Sequence, residues 1–251
     1  EQLEFNHSQE RKEAAQTWTG YPGWMKRTDV TPDQEDWTPN LVVSSPWGNV
    51  RTEPHADAPI KFTLSIGTRL VGSGQNTFIG EVEVPFRQVK LLDGTIGWIH
   101  AEETFPLEDI AGFYPVPDTF RKRLIETARL FLGVPYYWGG RSSHAVDCSG
   151  LVGLAYQTNG ILLPRDAHEQ WMMAKKLSRE QLQKGDLIFL FDEKNRRRVT
   201  HVMLYIGEDK VIEAPGTGRA VREIGLQERL KEAPKRPVQF GTYLQSGHRR
   251  D

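Results

Sequence analysis

The chain has 251 residues, 38% of them apolar, enough to bury one large core or two to three small ones. Its 32 basic residues against 33 acids give a formal net charge of −1, which excludes nucleic-acid binding through overall basicity and disorder driven by charge repulsion. A single cysteine, Cys148, excludes a disulfide within the chain and a cysteine-rich zinc site, and no apolar run approaches the roughly 18 residues of a membrane helix.

The chain begins at Glu1 with neither an initiator methionine nor the apolar segment of a signal peptide, so further residues are expected upstream. Residues 1–105 are punctuated by turns: Tyr21-Pro22-Gly23-Trp24, Thr38-Pro39-Asn40, Ser45-Pro46-Trp47-Gly48, Gly72-Ser73-Gly74 and Asp93-Gly94. Between them lie short β-rich runs at 41–43, 68–71, 79–84, 88–92 and 95–100, and this spacing predicts a small all-β barrel. Asp93-Gly94 is a strong hairpin signal. Gly20–Met25 and Gly94–Ile99 share a Gly-x-x-Gly-Trp-apolar pattern that resembles the closing strands of bacterial SH3-like modules. Residues 40–105 then form one complete SH3-like barrel. Residues 1–39 are either the distal part of a partial first module or an N-terminal extension packed on the single barrel. Pro106, Pro115 and Pro117 mark a linker over 106–117.

Residues 118–251 read differently. Asp118-Thr119 caps a predicted helix over 120–132, whose apolar face is Phe120, Leu124, Ala128, Phe131 and Leu132 and which Gly133 stops. Helices are predicted over Cys148–Gln157, with a stripe of Leu151, Val152, Ala155 and Tyr156, and over 167–174. Consecutive antiparallel strands follow at 186–191, 199–206, 210–214 and 220–224. Helices followed by strands make an α+β domain.

The candidate chemistry centres on Asp147-Cys148-Ser149-Gly150, which opens a helix. A helix N-terminus presents unpaired N–H groups and positive potential, which favour a thiolate and can hold an oxyanion; a buried cysteine acting as a small hydrophobe is the plainer alternative. Of the histidines, His201 begins the apolar strand Val202-Met203-Leu204-Tyr205-Ile206, so a sheet fixes its position. A sheet-held imidazole against a helix-held thiol is the papain arrangement. Glu213 interrupts the next apolar strand and can orient the ring, or can simply face solvent. The two share a face only if the loop between their strands has an odd number of residues, such as 207–209; a two-residue loop puts the carboxylate on the opposite face.

Five ordered motifs now stand together: Pro135-Tyr136-Tyr137-Trp138-Gly139-Gly140, Asp147-Cys148-Ser149-Gly150-Leu151, Pro164-Arg165-Asp166, Lys184-Gly185-Asp186-Leu187 and His201-Val202-x-x-Tyr205-Ile206-Gly207. They resemble the NlpC/P60-type papain-like cell-wall cysteine peptidases over roughly residues 118–245. With SH3-like modules in front, the chain is similar to the bacterial γ-D-glutamyl-L-diamino-acid endopeptidases. The resemblance implies Cys148 as nucleophile, His201 as base, Glu213 as the orienting residue where many relatives carry histidine, and Tyr136 as an oxyanion donor. It implies that Asp166 receives the free amine of L-Ala, with helix N-capping as its plainer role. Arg165 and Ser149 then lie near the D-Glu carboxylate. Trp138 is both core and pocket wall, in an aromatic cluster with Tyr136 and Tyr137. Tyr21, in the Gly-Tyr-Pro-Gly-Trp segment, resembles the SH3-module tyrosine that closes the amine pocket.

The expected activity is hydrolysis of the γ-D-Glu–diamino acid bond of stem peptides or muropeptides with a free L-Ala, releasing L-Ala-γ-D-Glu. The alternatives are a general wall endopeptidase without a free-amine requirement, a papain-like amidase or acyltransferase, and a wall-binding protein with an inert catalytic domain. No metal or organic cofactor is implied, and the chain is expected to be a monomer with no nucleic-acid partner and no membrane span. Its compartment is either the cytoplasm, in muropeptide recycling, or the cell envelope.

Overall fold

The computed structural model describes residue 26 and residues 38–73, 77–79, 82–107 and 118–244, which belong to two compact units, one within Gly23–Ile110 and one within Ala111–Asp251. The first carries strands β1 (Leu41–Val43), β2 (Trp47–Arg51), β3 (Ile60–Ser65), β4 (Arg69–Gly72), β5 (Thr77–Ile79), β6 (Val82–Val84), β7 (Phe86–Lys90), β8 (Ile96–His100) and β9 (Thr104–Pro106). A seven-stranded sheet runs β3-β2-β8-β7-β4-β1-β9 with every neighbouring pair antiparallel, while β5 and β6 pair only with each other. Leu41, Val43, Val50, Leu70, Val89 and Ile99 fill its core.

The β7–β8 hairpin turns at Asp93-Gly94, where Gly94 has φ +84° and the Asp93 carboxylate accepts from Thr95 N at 2.9 Å. Two expectations change. The run 79–84 is not one strand, because Ile79 pairs with Val82 across a hairpin. Gly48 lies inside β2 and not in a turn; a Cβ there would meet Ile99 and Val43 at 2.9 Å, so close packing is what requires glycine.

The second unit contains β10 (Lys175–Leu177), β11 (Leu187–Phe191), β12 (Val199–Gly207), β13 (Lys210–Glu213), β14 (Arg222–Gly225) and β15 (Val238–Thr242). They form one antiparallel sheet in the order β10-β15-β11-β12-β13-β14. Its helices are α1 (Asp118–Arg129), α2 (Cys148–Gln157), α3 (Ala167–Met173) and α4 (Leu226–Lys231). α2 and α3 pack on β12. Among the described residues, no helix is long and apolar enough to cross a membrane.

α1 ends earlier than predicted. Beyond Arg129 the bonds become i→i−3, Leu130 N to Thr127 O and Leu132 N to Arg129 O, and Leu132 turns outward, 45% exposed. α2 has no exposed stripe: every residue from Cys148 to Tyr156 is buried. Burial of this order contributes about 1.5–3 kcal/mol for each large apolar side chain, which anchors α2 on the sheet. Tyr156 adds a hydrogen bond to Gly185 O at 2.6 Å.

The β12–β13 hairpin resolves the parity question in an unexpected way. Its tip has two left-handed residues, Glu208 and Asp209, both at φ +52°, and Gly207 pairs with Lys210. A bulge between Tyr205 and Gly207 inserts the odd residue, so Leu204 faces Ile212 and the register is shifted by one. The bulge does what a three-residue loop was expected to do. Glu213 therefore returns to the face of His201.

Candidate active site

Local hydrogen bonding makes the corner before α2. Asp147 is the N-cap: its Oδ1 accepts from Gly150 N at 2.6 Å, and its Oδ2 accepts from Gly139 N at 2.8 Å. One carboxylate thus ties the helix start to the turn carrying Trp138 and Gly139. Gly150 is obligatory, since a Cβ would collide with the Gly140 carbonyl. Arg165 grips Asp147 in a fork, Nη1 to Oδ1 at 3.0 Å and Nη2 to Oδ2 at 2.7 Å, and also donates to Ser149 Oγ at 3.0 Å. Cys148 is held here, 8% exposed, at the first turn of a buried helix.

His201 enters from β12, opposite Leu190, and is 4% exposed. Its Nε2 lies 2.6 Å from Glu213 Oε2, and its protonation is coupled to the Cys148 thiol. With Nε2 engaged by the carboxylate, Nδ1 is the nitrogen left for the thiol. Burial alone would lower the pKa of His201, but its interactions with Cys148 and Glu213 outweigh it and the value lies above the ordinary one.

Glu213 is fully enclosed. Arg222 donates to its Oε1 from Nε at 3.0 Å and from Nη2 at 2.7 Å, while Arg229 Nε donates to Oε2 at 2.7 Å. Burial pushes the carboxyl pKa up, yet His201 and Arg229 bring it down to about 2. Glu213 is therefore a carboxylate at every working pH.

The thiol opens on a cleft of about 480 Å³ lined by Tyr136, Trp138, Arg165, Asp166, His168 and Arg198, among others. Burial first, then the charges of Cys148 and Asp147, raise the pKa of the Tyr136 phenol to about 12, which keeps it a hydrogen-bond donor. A larger groove of about 980 Å³ beside α1 and the β12–β13 turn has neither thiol nor imidazole in its lining.

This geometry has relatives. The NlpC/P60 family model matches residues 133–235. Dipeptidyl-peptidase 6 of Lysinibacillus sphaericus is 30% identical over 214 residues, 83% of this chain and 74% of that protein. A crystal structure of an NlpC/P60 family protein from Bacillus cereus superimposes with a TM-score of 0.72 at 30% identity, covering 90% of this chain and 71% of that one. The chain belongs to the NlpC/P60 family. The gamma-D-glutamyl-L-lysine dipeptidyl-peptidase of Bacillus cereus is 33% identical over 82% of this chain, and the chain spans 60% of that relative's length. It spans 66% of the like-named Bacillus subtilis protein.

The NlpC/P60 match and the structural likeness give the second unit a papain-like fold. The matched segment holds the whole cleft chemistry, from Tyr136 through Cys148 and His201 to Glu213. Several readings change. Trp138 and Tyr137 are not core: they are 82% and 70% exposed, because the Asp147–Gly139 bond turns this segment outward, and Trp138 is wall only. The solvent-facing alternative for Glu213 falls, since the residue is fully buried. Asp166 occupies the N-cap position of α3 without a side-chain cap bond, and it is exposed at the cleft. The Arg165 fork already holds Asp147. Tyr21 lies outside the described residues.

Sequence reasoning missed Arg222 and Arg229. The signal for Arg222 is register: β14 places it directly opposite Glu213. Arg229 sits on α4, a short helix with no recognised cap. Also missed is His168, whose Nδ1 accepts from Val199 N at 3.2 Å and so pins the start of β12 two residues before His201.

Proposed function

We propose that the chain is a cysteine peptidase that hydrolyses the bond between γ-D-Glu and the diamino acid of peptidoglycan stem peptides, acting on muropeptides with a free L-Ala amine and releasing L-Ala-γ-D-Glu. The observation that carries this reading is the buried His201–Glu213 pair, coupled to the Cys148 thiol at the start of α2, which lines a cleft rimmed by the Asp166 carboxylate. The names of the Bacillus relatives, gamma-D-glutamyl-L-lysine dipeptidyl-peptidases, supply the bond.

The Cys148 thiolate attacks the γ-carbonyl carbon of D-Glu. The oxyanion is met by the Tyr136 hydroxyl and the Cys148 backbone N–H. His201, as imidazolium, gives its proton to the leaving amine of the diamino acid. Water then attacks the thioester, His201 takes its proton, and the thiolate departs. Thiol and imidazole supply all the proton and electron-pair movements, so the reaction calls on no metal or organic cofactor. Asp166 meets the L-Ala ammonium. Ser149, Arg165 and Trp138 border the D-Glu, with Arg165 acting chiefly by fixing Asp147.

In this reading residues 40–105 are an SH3-like module, supported by the Gly-x-x-Gly-Trp pattern and its antiparallel sheet, 106–117 a linker and 118–251 the catalytic domain of a monomer. The substrate class fits muropeptide recycling. The exposure of Asp166 favours a second reading, a wall endopeptidase indifferent to the amine. Mass spectrometry of defined muropeptides, each with the L-Ala amine free and acylated, tests both. Release of L-Ala-γ-D-Glu only from free-amine substrates supports the first reading. Equal cleavage of both forms selects the second, and cleavage of neither removes both.

A further inference from the structure

Both oxygens of Glu213 are committed beyond the imidazole. Arg222 comes from β14 in direct register with Glu213, and Arg229 comes from α4, with its side chain 7% exposed. A lone carboxylate 2.6 Å from a buried imidazole would hold it as a tightly bound imidazolium, because opposite charges couple strongly where water is absent. Such a ring is a reluctant acid for the leaving amine. Two guanidiniums on the same carboxylate oppose that pull: they share its charge and repel a cationic ring. They also fix the carboxylate plane and, through it, the ring tautomer.

We propose that Arg229 and Arg222 are positioning residues, which hold Glu213 against His201 and limit how firmly the carboxylate keeps a proton on the ring. The inference rests on the reading of Cys148 and His201 as the reacting pair. The charged groups facing that pair are Glu213 from β13, Arg222 from β14, Arg229 from α4 and Arg236 beyond it, with Asp147, Arg165, Asp166 and Arg198 in the cleft lining beside Cys148. Glu232, just after α4, is the counterweight. It accepts from Arg222 Nη2 at 2.7 Å and from Arg219 Nη1 at 3.1 Å, so it draws part of the Arg222 charge away from Glu213. The cluster alternates in sign outward from the ring, which gives it a directional test: removing an arginine and removing Glu232 must move His201 in opposite directions.

The experiment follows the His201 ring by NMR titration of the full chain, together with the pH dependence of Cys148 alkylation by iodoacetamide. Neither readout needs a substrate, so failure of the peptidase reading and failure of this inference are separable. Arg222→Gln and Arg229→Gln are expected to raise the His201 inflection by about one pH unit, a tenfold change in its protonation equilibrium, and the alkylation profile should follow. Arg229→Lys, which keeps the charge, should recover most of the shift. Glu232→Gln should lower the inflection by a smaller amount. Arg229 is buried and its glutamine variant can fail to fold. Arg222 and Glu232 are partly exposed and keep the test available. An unmoved His201 inflection in folded Arg222→Gln and Glu232→Gln, with only the melting temperature changed, would overturn the proposal and leave the cluster as scaffolding.

Discussion

On the thiol side of His201, one stretch from Tyr136 to Gly150 supplies the proposed nucleophile, its cap and the proposed oxyanion donor, pinned by bonds within the stretch and by the nearby Arg165. On the carboxylate side, Glu213, Arg222 and Arg229 come from two strands and a helix and meet only because register and a bulge bring them together. The first side is a rigid corner built by capping. The second is a charge cluster whose members act through one another. Substitutions on the thiol side should therefore act nearly all-or-none on chemistry, while those on the carboxylate side should be graded and dependent on pH.

Cys148→Ala gives the largest expected effect. Hydrolysis should fall to background, because no other thiol exists in the chain, while the melting temperature changes little. Measurable turnover by the folded variant would end the nucleophile assignment. His201→Ala should be nearly as severe, since it removes the proposed proton donor for the leaving amine.

Glu213→Gln should be milder and should move the profile as well as lower it. The pKa of His201 lies above its ordinary value, so the imidazolium, and with it kcat/KM, persists to higher pH than an isolated histidine near 6.5 allows. Replacing the carboxylate removes one of the interactions holding that proton, and the alkaline limb should move toward lower pH. Glu213 itself titrates near 2 and contributes no limb in the working range. If kcat/KM of the glutamine variant superimposes on wild type from pH 5 to 9, the carboxylate does not act on the ring.

How much of this was legible follows the same division. The cap, the proposed nucleophile and Gly150 could be read from four adjacent residues, because capping chemistry is local. His201 could be read because one polar residue stood at the start of an apolar strand. Glu213 was legible as a residue, but its placement depended on the bulge near Ile206, which no turn signal announces. The arginines were not legible, since their partner is reached through register and through a six-residue helix without a capping side chain. In the first unit, Gly48 read as a turn because sequence alone does not separate a glycine needed for φ from one needed for packing.

Asp147 tests the rigid corner itself. Its carboxylate caps α2 and pairs with the largely buried Arg165, so Asp147→Ala leaves a guanidinium without its fork and a helix without its cap. Breaking such a pair costs about 3 kcal/mol, which chemical denaturation would read as a clear drop in midpoint. Asp147→Asn keeps the cap acceptor and should recover part of that loss. A fall in activity without loss of stability would instead mean that Asp147 acts on the thiol electrostatically.

The smallest effect is expected at Asp166. Its carboxylate is exposed and makes no cap bond, so an ammonium arriving there forms an ion pair in contact with water. Exposed pairs are worth little, and Asp166→Ala should lower kcat/KM for a free-amine tripeptide by less than about fivefold, with an unchanged melting temperature. The residual preference for the free amine should weaken as salt is raised, because an exposed pair is screened. The acylated tripeptide is the control: whatever rate it shows, zero included, should be the same for wild type and variant. A loss of a hundredfold or more, insensitive to salt, would mean that water is excluded from Asp166 when substrate binds. The amine would then be recognised in a closed pocket, and Asp166 would belong with Cys148 and His201 among residues whose loss is nearly complete.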